Sequence, residues 1–215
     1  MKKPFSLLIT LVFIMMVVSC RKNELTYSCN SEIDSYVKDN IELFENCNVL
    51  ALTEYDLGIQ KAAYRTYLEE SKYDLWVERL DIISLDSMFS SIESQHIQNL
   101  TVELYPEIFE GDSELFNQFI IFYESWEKVA LEQLGWDKQL LAYVVSSMEL
   151  NYNSYLESLE TLNYSAVTLS QGCGCNQTHD FCDGGALCNG SCSSVSGGCG
   201  VLWMEDCNGT CIFQD

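Results

Sequence analysis

"SELFNQFIIFYESWEKVALEQLGW" runs from Ser113 to Trp136 and repeats apolar residues at intervals of three and four, the spacing that puts them on one face of an α-helix. A glycine at 135 closes the stretch, and Asp137 can cap a further helix through Leu140, Leu141, Val144, Val145 and Met148 to Leu156. The same period is found upstream. "SEIDSYVKDNIELF" places Ile33, Tyr36, Val37, Ile41 and Phe44 on one stripe, with Ser31 as its expected N-cap. Thr53-x-x-Asp56 resembles a capping box ahead of Leu57, Ala62, Ala63, Tyr64, Tyr67 and Leu68. Asp86 is the expected cap for a segment through Met88, Phe89, Ile92 and Ile97. Pro106 interrupts the pattern, which restarts near Ile108. Five or six helices with short connections imply an irregular all-α bundle over residues 31–163.

Composition changes after the bundle. Residues 164–172 carry no charge and read as a linker, and beyond them Gly, Ser, Asn and Cys dominate. Residues 173–215 therefore read as a small disulfide-rich, hairpin-containing C-terminal module. At the other end, Lys2 and Lys3 precede an apolar run from Phe5 to Val18, shorter than the roughly 20 residues a membrane-spanning helix needs. "VVSC" (Val17–Cys20) resembles a lipobox, so residues 1–19 read as a lipoprotein signal peptide and Cys20 as the lipidated residue, followed by a polar tether over 20–30. Arg21 in place of an aspartate suggests the outer membrane. The expected location is the bacterial cell envelope, with the membrane engaged through lipid.

The charge excludes other partners. The formal net charge is −21, from 32 acids against 11 bases, and no Lys or Arg follows Lys138. No basic stripe is available to displace counterions from phosphate, so nucleic acid is not expected as a partner. Adhesion to anionic lipid by charge alone is disfavoured for the same reason.

There are eleven cysteines. Assigning Cys20 to lipid leaves an even set: Cys29, Cys47, Cys173, Cys175, Cys182, Cys188, Cys192, Cys199, Cys207 and Cys211. In an oxidising compartment disulfides are the expectation for all of them. Zinc is the alternative weighed against this. Cys188-x₃-Cys192 and Cys207-x₃-Cys211 approach zinc spacing but Cys173-Gly-Cys175 does not, and His179 is the only nearby histidine. No metal or other cofactor is assigned. Asp180, Asp183 and Asp206 match no calcium loop. Connectivity stays open, since eight cysteines allow 105 pairings. One local expectation concerns Asn208-Gly209, which reads as a two-residue hairpin turn. In that register Cys207 and Cys211 point to opposite faces and bond different partners.

No catalytic signature is present. The metalloprotease, nucleophile-elbow, phosphate-loop and dinucleotide fingerprints are all missing. His96 reads as a packing or surface histidine, and acid pairs such as Glu69-Glu70 and Asp112-x-Glu114 as solvated faces. Trp76, Trp126 and Trp136 read as core. Trp203 lies in a module with little core of its own, and is either that core or an anchor for a target.

The tail also carries a resemblance. "CGCNQTHDFC" (Cys173–Cys182), "GCGVLW" (Gly198–Trp203) and "CNG" (Cys207–Gly209) resemble the bacteriocin fulvocin C-related family. Cys188 and Cys192 are closer together than in the bacteriocin, and Cys211 follows the C-N-G element. The resemblance implies a stapled antibacterial module that acts without catalysis on an envelope target or receptor of competing bacteria. With no Lys or Arg, target binding is expected in place of charge-driven lysis. Two readings follow. In the first, the helical region is a lipid-anchored base and the tail is an effector, displayed or released by cleavage near 170–172. In the second, the protein is a non-toxic envelope binding lipoprotein whose tail is a recognition or structural cap. Whether Trp203, Ile212 and Phe213 pack on the helices separates the two.

Overall fold

The computed structural model describes residues 25–45, 47–110, 114–165, 174–177, 182, 187–189 and 194–212. The signal-peptide and lipobox assignments, including Cys20, lie outside the described residues, as do Cys173 and Cys192. Most of the described chain is helical, and a small strand region follows near the C-terminus. The helices are α1 (Ser31–Asp39), α2 (Ile41–Phe44), α3 (Val49–Leu52), α4 (Leu57–Tyr64), α5 (Glu69–Ser84), α6 (Ser91–Val102), α7 (Glu114–Glu132), α8 (Lys138–Ser146) and α9 (Tyr152–Ser165). A 3-10 turn at Pro106–Glu110 lies between α6 and α7 and packs against α5 and α7.

Helix starts follow local hydrogen-bonding more closely than the apolar stripe foretells. Asn30, not Ser31, caps α1, its side chain accepting from the amides of Glu32 and Ile33. Thr53 does not cap α4. Its hydroxyl turns back to the carbonyl of Leu50 at the end of α3. Asp86 accepts from Met88 in the turn, while α6 opens on a reciprocal capping box between Ser90 and Glu93. Asp137 does cap α8, through the amide of Leu140.

The continuous helix expected from Asp137 to Leu156 is broken at Ser147, whose backbone is extended. The cause is Arg79 of α5, which is fully buried and donates to the carbonyls of Val144 (2.7 Å), Tyr143 and Glu149 (3.1 Å). The guanidinium takes the place of the amides that would continue the helix, and its positive charge suits the helix C-terminus. It also lies over the rings of Trp76 and Tyr143, at 5.5 and 5.1 Å. Burial lowers the Arg79 pKa to about 10, with nearby Tyr143 and Glu149 opposing that shift.

Trp76, Trp126 and Trp136 are core residues, as their spacing suggested. His96 is buried too. Its ring stacks on Trp126 with centroids 4.5 Å apart, and the two side chains each reach the other's backbone carbonyl. The core continues without interruption into Val201, Leu202, Trp203 and Met204.

The strands form two antiparallel pairs. β2 (Val195–Cys199) pairs with β3 (Glu205–Cys207), and β1 (Leu187–Asn189) pairs with β4 (Thr210–Ile212). The hairpin expected across Asn208-Gly209 is therefore not formed, because its two arms belong to different pairs. Asn208 and Gly209 instead donate to the carbonyl of Cys175, whose amide returns a bond to Gly209. That exchange joins the start of the tail to the crossover between the two sheets.

Candidate functional site

The feature that organises the tail is a loop closed by the Cys199–Cys207 disulfide, with a sequence separation of 8. Trp203 sits inside that loop. Gly200 leaves β2, a 3-10 turn spans Val201–Trp203, and the chain re-enters β3 at Glu205. Leu202 and Trp203 have φ of 50° and 54°, the left-handed region that side chains other than glycine visit at a cost of about 1–3 kcal/mol each. Loop closure by the disulfide and packing together hold them there. Trp203 is 1 % exposed. It meets Tyr64 and Trp76 edge to face, at 5.4 and 5.8 Å, and its indole N–H donates to the carbonyl of Ser146 at 2.8 Å. Tyr64 completes the contact by donating its hydroxyl to the carbonyl of Leu202. Trp203 is thus part of the helical core and is not presented for contact with a target. Its neighbours explain this: Tyr64, Trp76 and the open carbonyl at the end of α8 form a slot that satisfies both the apolar ring and its polar N–H.

Two cations of the α4 region fasten the tail around the loop. Lys61 donates to the carbonyl of Gly174 at 2.9 Å and lies 5.9 Å from the Trp203 ring. Arg65, the C-cap of α4, reaches three parts of the chain. Its Nε donates to the carbonyl of Gly197 at 2.9 Å, Nη1 to that of Tyr27 at 2.6 Å, and Nη2 to the sulfur of Cys207 at 3.0 Å. Burial lowers its pKa to about 10, while Cys29 and Asp206 draw it back toward the charged form.

These contacts give the tail motifs a physical meaning. A Cβ on Gly198 would stand 2.8 Å from Nη2 of Arg65, and the residue has φ of +86°. A Cβ on Gly209 would stand 2.4 Å from the sulfur of Cys188. The glycine opening G-C-G makes room for the arginine, and that ending C-N-G makes room for a disulfide.

The cysteines divide as follows. Cys175 is bonded to Cys188 and Cys199 to Cys207. Cys182 is also disulfide-bonded, and its sulfur lies within 4.8 Å of those of Cys175 and Cys188. Three sulfurs so placed would suit a soft metal ion only as thiolates, and here they are held in disulfides. The Cys211 side chain lies outside the described residues. Cys29 and Cys47 depart from the expectation that every thiol is oxidised, since both are thiols. They flank α1 and α2. Burial raises the Cys47 thiol above its ordinary value.

No family model, curated protein or solved structure matches the chain. Among the described residues, no helix is long and apolar enough to cross a membrane.

Sequence reasoning missed Arg65 and Arg79. Their signal was faint but real: in a chain with 11 bases, two arginines stand within helical apolar stretches, beside Tyr64 and Leu80. A charge in that setting needs carbonyls or acids brought from elsewhere in the chain.

Proposed function

We propose that this protein is a non-catalytic envelope lipoprotein, anchored through Cys20, that works as a binding or interaction protein with its cysteine-rich tail as a docked structural cap. The observation that carries this reading is the burial of Trp203 between Tyr64, Trp76 and Ser146. An effector that acts after release would have to withdraw that ring into water. Truncating a buried tryptophan typically costs about 3–5 kcal/mol, and withdrawal forfeits the same contacts. It would also break the bonds from Lys61 and Arg65. The fulvocin C-like motifs then describe a shared scaffold, with glycines that clear space for a disulfide and a cation.

Intact-mass measurement of the envelope fraction and the medium tests this. The reading predicts one species in the envelope, beginning at an acylated Cys20 and retaining the cysteine-rich tail. A free peptide from about Cys173 to Asp215 in the medium, active against neighbouring bacteria, would replace it with the effector reading.

A further inference from the structure

We infer that the Cys199–Cys207 disulfide is a redox-responsive latch, reducible by a dithiol, with Arg65 stabilising the Cys207 thiolate that its opening releases. The geometry rests on the hydrogen bond from Nη2 of Arg65 to the Cys207 sulfur, at 3.0 Å. A guanidinium fixed at that distance favours sulfur as an anion and makes Cys207 the better leaving group of the pair. The two ion pairs found among the described residues, Lys38 with Asp34 and Lys128 with Glu132, do not involve Arg65. Its other two bonds go to neutral carbonyls, of Gly197 and Tyr27. Arg65 is half-buried with no carboxylate at ion-pair distance among the described residues, and a thiolate at Cys207 would supply that counter-charge. Cys29 and Asp206 also act on Arg65, and Asp206 is held by the amide of Gly197. The lowered pKa of Arg65 records the same desolvation.

Cys199 and Cys207 are both buried, so exchange begins with a local opening of the tail that admits the dithiol. A thiolate of the dithiol then attacks the Cys199 sulfur, the Cys199–Cys207 bond breaks, and Cys207 leaves as a thiolate that is stabilised beside Arg65 as the loop recloses. The second thiol of the reagent then closes on the mixed disulfide and releases Cys199. The protein gains two electrons and one net proton, the reagent becomes a cyclic disulfide, and one proton goes to solvent. The consequence is local. The bond closes the loop that holds Leu202 and Trp203 at positive φ. Opening it removes the constraint on those strained residues, so reduction should loosen the docking of Trp203.

The test uses the full-length oxidised protein equilibrated in dithiothreitol redox buffers, quenched with acid, alkylated and mapped by mass spectrometry. Cys175–Cys188 in the same molecule is the internal reference. In buffers near pH 9.5, where a one-unit shift of the Cys207 thiol is almost fully expressed, Arg65→Gln should require a roughly tenfold more reducing ratio to open Cys199–Cys207, and Arg65→Lys, which keeps a point charge, should fall between. Cys175–Cys188 should not move. If Arg65→Gln opens at the wild-type ratio or more easily while the reference bond is unchanged, the latch is refuted. If both bonds open more easily, the variant has loosened the whole tail, and the wild type decides. In reduced wild-type protein, the alkylation rate of Cys207 against pH should turn over at least one unit below the ordinary thiol value of about 8.5. A turnover at or above that value overturns the proposal.

Discussion

The indole N–H of Trp203 donates to the backbone carbonyl of Ser146, across 57 positions of sequence and at 2.8 Å. That bond places the cysteine-rich loop on the C-terminal end of α8, where a helix leaves carbonyls without an intrahelical donor. Arg79 uses the preceding carbonyls, of Tyr143 and Val144. The end of one helix is thus shared between a buried cation and the tail.

Replacing Trp203 by alanine should lower stability by about 3–5 kcal/mol, since it removes a fully packed ring and leaves the Ser146 carbonyl without its donor. Thermal unfolding measured by circular dichroism would show it. The helical signal itself should melt earlier, because the ring belongs to the helical core. Trp203→Phe keeps much of the packing and loses the bond, so it should cost less.

Arg79→Leu strands three carbonyls, those of Tyr143, Val144 and Glu149, in a buried site. The expected loss is about 3 kcal/mol or more in urea unfolding. Arg79→Lys restores one charge but not the fork, and should recover only part of it.

Acid should weaken the α6–α7 contact through His96. Burial holds its imidazole below the ordinary value, with the carbonyl of Trp126 opposing, so the unfolded chain binds the proton more readily. Stability is then fully present above the unfolded pKa of about 6.5 and declines as pH falls through the interval down to the lower folded value. Asp34 and Glu93, whose carboxyl pKa values are lowered, contribute stability that is lost only in more acidic solution. His96→Gln should flatten the decline just below pH 6.5 and leave the acid limb in place. An unchanged slope in that window would exclude His96 as its source.

Gly198→Ala should destabilise the tail more than a typical surface substitution, by about 1–3 kcal/mol, because it adds a Cβ at positive φ against the Arg65 guanidinium. Arg65→Ala should relieve the clash without relieving the backbone strain. The two substitutions together should therefore cost less than the sum of their separate effects, which a double-mutant cycle measures.

Much of the bundle was legible because helical period and core identity are the same signal. Tyr123, Trp126 and Ala130 share a face of α7, and all three are buried. Asp137 was legible as a cap because its bond to Leu140 is local. The break at Ser147 was not. Its cause is Arg79, which lies more than 60 positions away, and the intervening segment has a faultless apolar stripe. The same limit applies to the tail. Asn208-Gly209 has the composition of a hairpin turn, yet β3 and β4 are claimed by β2 and β1. Trp203 was left between core and anchor because the slot that receives it comes from α4, α5 and α8. Cys29 and Cys47 were counted as disulfides from parity, which names no partner for either.

The tail and the helices form one folded body through Trp203. The most direct measurement places a protease site within residues 166–172 of the full chain, cuts it under native oxidising conditions and follows both pieces by size-exclusion chromatography with mass detection. Residues 173–215 should co-elute with the helical piece, and Trp203→Ala should weaken their association. Separation of a folded tail from intact helices in the otherwise unaltered, cut protein would show instead that the two fold apart.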